Sequence, residues 1–91
     1  MPQAAKHIIF KGHVQGVGFR YTTQRIASQF PITGYVRNQP DGTVEAVIQG
    51  EEEDIQNCLA KIQDYFGGHI RDIDISPMVY NSHLKDFDIT F

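Results

Sequence analysis

Apolar positions recur along the chain with two different periods, and the switches between them predict its elements. Ile8 and Phe10 alternate with polar neighbours across residues 7–11, the pattern of a strand with one buried face. From Phe19 the spacing changes to three and four. Phe19, Thr23, Ile26, Ala27 and Phe30 then share one face of a helix, which Pro31 ends because the residue before a proline avoids helical backbone. Residues 34–38 read as a second strand and Pro40-Asp41-Gly42 as a turn. In residues 43–49, Val44, Ala46 and Ile48 alternate against Glu45, Val47 and Gln49, giving a third strand that Gly50 breaks. Glu51, Glu52, Glu53 and Asp54 crowd the first turn of a second helix, where carboxylates meet the positive end of the macrodipole. Ile55, Leu59, Ile62 and Phe66 supply its apolar stripe, and Gly67-Gly68 stops it. Ile70, Ile73 and Ile75 predict a fourth strand closed by Pro77. After a polar stretch over residues 81–85, Phe87, Ile89 and Phe91 alternate with Asp88 and Thr90 in a short terminal strand at a sheet edge.

That order, β-α-β-β-α-β with a short C-terminal strand, predicts an α+β fold. Two helices on one face of a mostly antiparallel sheet give a ferredoxin-like split β-α-β sandwich. Phe10, Phe19, Ile26, Phe30, Val44, Ile48, Ile55, Leu59, Ile62 and Phe66 are its expected core.

Composition narrows the class. The 91 residues are 41% apolar and 21% charged, which suits one two-layer core and predicts a single domain over residues 1–91. Eight Lys and Arg against eleven Asp and Glu leave a formal charge of −3, which disfavours a general nucleic-acid binder. No stretch approaches a membrane span or a secretory leader. Cys58 stands alone, so it closes no intrachain disulfide and builds no zinc site without histidine help. A reduced, cytoplasmic, monomeric protein is the expectation.

The chemistry concentrates in Val14-Gln15-Gly16-Val17-Gly18-Phe19-Arg20, running from the first strand into the first helix. Amides at such a junction lack partners, and the helix dipole adds positive potential. Gly16 and Gly18 let the backbone curl so that several amides converge on one anion, and Arg20 offers two phosphate oxygens a forked, permanently charged contact. There is no G-x-x-x-x-G-K-[ST] and no third glycine at the dinucleotide spacing, so neither nucleotide loop is present. The same residues also fit a tight turn followed by a solvated arginine.

Asn38 closes the segment Gly34-Tyr35-Val36-Arg37-Asn38. A helix crosses over between the first two strands, so they run parallel and their ends share one edge of the sheet. With one strand fitted between, Asn38 and the glycine loop lie roughly 10 Å apart, two interstrand spacings. Arg20 reaching inward and Asn38 can then flank one phosphate and one water. Asn38 alone would also serve as a turn-capping residue.

With these segments, Asp41-Gly42-Thr43-Val44-Glu45 and Gln49-Gly50-Glu51 in order, the chain resembles the acylphosphatase family. The resemblance implies hydrolysis of a carboxylic–phosphoric anhydride to carboxylate and orthophosphate, with no metal and no cofactor. It implies a phosphate-binding loop of Gln15, Gly16, Val17, Gly18, Phe19 and Arg20, catalysis by Arg20 and Asn38, and Asn38 orienting the attacking water. The water's proton would pass to the substrate's own phosphate. An acyl phosphate is already activated, so positioning and charge stabilisation can do most of the work.

The rival reading is a non-catalytic module that binds phosphate or carbamoyl phosphate. His13 beside the loop reads as a surface or structural histidine, and His7, His69 and His83 lack metal-ligand spacing. Cys58 beside the apolar stripe reads as a buried, inert thiol.

Overall fold

The computed structural model describes residues 3–91. Strands β1 (Gln3–Gly12), β2 (Thr33–Asn38), β3 (Val44–Glu51), β4 (Ile70–Pro77) and β5 (Phe87–Ile89) alternate with helices α1 (Phe19–Ala27) and α2 (Glu52–Phe66). The sheet runs β4-β1-β3-β2-β5. All its pairs are antiparallel except β2 with β5, which is parallel. This is the predicted split β-α-β sandwich, with β5 added at the β2 edge.

Both helices lie against one face. Phe10 of β1, Phe19 of α1 and Phe66 of α2 form a continuous aromatic cluster. The Phe10 and Phe19 centroids are 5.0 Å apart and those of Phe19 and Phe66 4.2 Å apart. Each ring is buried, so each contributes about 2–3 kcal/mol of burial to the joint between sheet and helices. The predicted core is buried except for Phe30, which is half-buried against it. Cys58 is also buried there, and burial pushes its thiol up to about 12.

Several boundaries differ from the periodicity. β1 begins at Gln3, earlier than residue 7, because its backbone pairs with β3 as far as Gln3 opposite Glu51. Gly50 does not break β3. It pairs with Ala4, and the strand continues to Glu51. α1 ends at Ala27, before Pro31, and the chain leaves through tight turns in which the amides of Gln29 and Phe30 donate to Ile26 O and Ala27 O. β5 is only three residues long, and Phe91 lies beyond it.

β3 departs furthest from its alternating pattern, since both of its faces are covered. On the face away from the helices, Glu45 is 8% exposed and Gln49 1%. The Glu45 carboxylate pairs with His7 Nε2 at 2.7 Å and accepts from Arg37 Nε, joining β1, β3 and β2. Gln49 Nε2 donates to Asn81 O at 2.7 Å, and its Oε1 accepts from the Asn81 amide at 3.0 Å. The polar stretch around Asn81 thus lies over the sheet and supplies the bonds a buried amide requires.

Candidate active site

β1 ends at Gly12, and the chain turns through residues 13–18 into α1. The loop is held at three points. Val14 is buried in the core, the His13 amide donates to His69 O at 2.8 Å, and Gln15 Nε2 donates to Gln39 O at 2.7 Å and Thr43 O at 2.8 Å. Gly16 and Gly18 have φ of 80° and 73°, the left-handed conformation that side chains disfavour. Open space surrounds both α-carbons, so the backbone conformation and not crowding requires glycine there. Gly18 is the N-cap of α1, and its carbonyl accepts the Thr22 amide at 3.0 Å. The amides of Phe19, Arg20 and Tyr21 therefore have no intrahelical acceptor.

Asn38 is the last residue of β2 and pairs with Val44, which on its other side pairs with Phe10 of β1. Asn38 thus stands level with the end of β1, about two strand spacings from it, as expected from the topology. Gly16, Gly18, Arg20 and Asn38 line a single cleft of about 210 Å³, and Ile89 and Phe91 complete it from the β5 side. The structure therefore brings together the arginine and the asparagine that the sequence singled out. Phe19 also lines this cleft, whereas Gln15 and Val17 do not. The Gln15 side chain is committed to the β2–β3 turn, and Val17 packs against the core.

The cleft's electrostatics favour an anion. Among the described residues Lys6, Lys11 and Arg37 each have a carboxylate partner, and Arg20 has none. Its guanidinium carbon instead lies 4.9 Å from the centre of the Phe91 ring. The ring offsets only part of that charge, and the α1 N-terminus adds positive potential to the same cleft. His13 lies outside the lining, with its ring 5.6 Å from that of His69. A second cleft of about 310 Å³ between α1 and α2 includes Arg25 and Lys61, but also Asp64, and Lys61 is bonded to Gln29 Oε1. It has no glycine loop or helix N-terminus to hold an oxyanion.

Sequence reasoning missed the Gln15 tie and the arrival of Ile89 and Phe91. Both depend on contacts between segments far apart in the chain, and no local period signals them.

Residues 6–89 match the model of the acylphosphatase family. The acylphosphatase of Lactobacillus gasseri is 40% identical over 82 residues, covering 88% of this chain and 90% of that relative. The crystal structure of acylphosphatase from Bacillus subtilis superposes with a TM-score of 0.88 at 30% identity, covering 97% of this chain and 99% of that one. Full-length HypF, in its phosphate- and nucleotide-bound form, superposes with a TM-score of 0.85 at 29% identity. That match covers 99% of this chain and 12% of the HypF chain.

Proposed function

The chain belongs to the acylphosphatase family, and we propose that its hydrolysis of acyl phosphates takes place in the cleft between the glycine loop and Asn38. The phosphoryl group sits on the amides at the α1 N-terminus, with Arg20 on two of its oxygens. Asn38 holds a water against phosphorus. The water oxygen forms a bond to phosphorus as the bond from phosphorus to the acyl oxygen breaks. The acyl group leaves as carboxylate with the bonding pair, and the water's proton passes to a phosphoryl oxygen, giving orthophosphate. Arg20 and the amides act on charge spread over the phosphoryl oxygens, where preorganised donors contribute most.

The observation that carries this reading is that Arg20, without a carboxylate partner among the described residues, lines the same cleft as Asn38. The donor set there is guanidinium, amide N–H and carboxamide, which suits catalysis without a metal ion. The reading further takes residues 1–91 as one acylphosphatase-like domain acting as a cytoplasmic monomer. The extent of the family match supports the first part of this. Among the described residues no helix is long and apolar enough to cross a membrane.

Steady-state hydrolysis of benzoyl phosphate with EDTA present tests the proposal. Turnover should be insensitive to the chelator. Arg20→Ala should lose both turnover and inhibition by inorganic phosphate. Asn38→Ala should keep that inhibition while kcat falls about 10²- to 10³-fold, the usual effect of removing one donor that acts at the transition state. Normal turnover by Asn38→Ala would remove the water-orienting role, and loss of wild-type activity in EDTA would remove the metal-free one.

A further inference from the structure

Phe91 leaves 97% of its surface open to water, yet its ring is not placed at random. The Thr90 amide donates to Val36 O at 2.9 Å, and Ile89 pairs with Val36, so the chain is held up to the residue before the ring. The ring then lies beside Arg20 at the mouth of the cleft. Ile89 and the 60% exposed Tyr21 line the same cleft. Across the sheet order, the glycine loop follows β1, Asn38 ends β2, and Phe91 follows β5. The cleft thus combines anion donors with an apolar, aromatic surface, the two meeting where Arg20 lies against Phe91.

A phosphoryl group uses only the donors. We infer that Phe91, flanked by Ile89 and Tyr21, forms the wall that receives the acyl group, so that the chain favours acyl phosphates with aromatic or bulky apolar acyl groups over acetyl phosphate. This rests on the reading of the cleft given above and adds a substrate class to it. An acyl phosphate has the matching polarity, a charged phosphoryl end joined to an uncharged acyl end. An aromatic acyl group can stack on the open face of Phe91 while the phosphoryl group stays on Arg20 and the amides.

The test compares kcat/KM for benzoyl phosphate and acetyl phosphate in the wild type, Phe91→Ala and Phe91→Tyr. The ratio of benzoyl to acetyl should fall about fivefold to tenfold in Phe91→Ala, the range a single aromatic contact provides, and return in Phe91→Tyr. Inhibition by inorganic phosphate should weaken by less than the ratio falls. An unmoved ratio would overturn the inference. So would an equal fall for both substrates together with weaker phosphate inhibition, since the ring would then act only by holding Arg20. A folded wild type that hydrolyses neither substrate would instead remove the reading of the cleft itself.

Discussion

The side-chain amide of Gln15 donates to the carbonyl of Gln39 at 2.7 Å, tying the glycine loop to the turn that follows Asn38. The same nitrogen donates to Thr43 O at 2.8 Å on the far side of that turn. One glutamine thus links the glycine loop to the turn beside Asn38, the residue proposed to hold the water. The separation between those two groups decides whether water and phosphorus meet in reactive geometry, and small displacements there are costly.

Gln15→Ala should therefore lower kcat/KM for benzoyl phosphate by about tenfold, while two lost hydrogen bonds reduce stability by about 1–2 kcal/mol. Gln15→Glu is the sharper variant. It keeps the size of the side chain but replaces the donating amide with an acceptor facing two carbonyls. Both variants should lose activity with little change in inhibition by phosphate, because Arg20 and the helix amides are left in place. Wild-type kinetics in either variant would show that the tie does not set the geometry.

Gly34 predicts a different kind of loss. It pairs with Ile48 at a φ of 148°, and a β-carbon there would lie 1.8 Å from Val47 O. The obstructing atom is backbone of the central strand, so no rotamer change relieves the overlap. Gly34→Ala should destabilise the fold by more than about 3 kcal/mol in urea unfolding. A loss under about 1 kcal/mol would mean that β2 and β3 separate readily.

Glu45 makes stability depend on acidity. Burial alone would raise its carboxyl, but the bonds from His7 and Arg37 outweigh burial and hold it below the usual carboxylate range. A lowered folded value means the unfolded chain takes up the proton first. The stabilisation is therefore present above the ordinary glutamate value, about 4.3, and is lost as pH falls through the lowered one. Glu45→Gln should cost about 1–2 kcal/mol at pH 7, with the gap from wild type closing below about pH 4. Denaturant titrations at several pH values check this, and a constant gap would contradict it.

Local period was enough to place both helices and the face that carries Phe10, Phe19 and Phe66, although Phe30 and Phe91 of the expected stripes lie beyond α1 and β5. The topology follows from helix crossovers, which is why the sequence alone places Arg20 and Asn38 on one edge. The burial of Glu45 and Gln49 was not legible. Their covers are His7, Arg37 and Asn81, and polar residues that satisfy one another across a sheet look in sequence like an exposed face. The end of α1 was misplaced because Pro31 marks where a helix must already have stopped, not where it stops. The sequence places Gln15 in the glycine loop but gives no sign that its side chain is committed to the neighbouring turn.

β5 pairs on one side only, over three residues at the edge of the sheet. β1, which launches the glycine loop, is paired along both sides by β3 and β4. The two walls of the cleft consequently differ in how often they open. Amide protons in the middle of β1 can exchange with solvent only when the sheet as a whole comes apart, whereas the Thr90 amide, bonded to Val36 O, is freed by release of a short edge. The strand that launches the glycine loop is therefore slow to open, and the edge that carries Phe91 is quick.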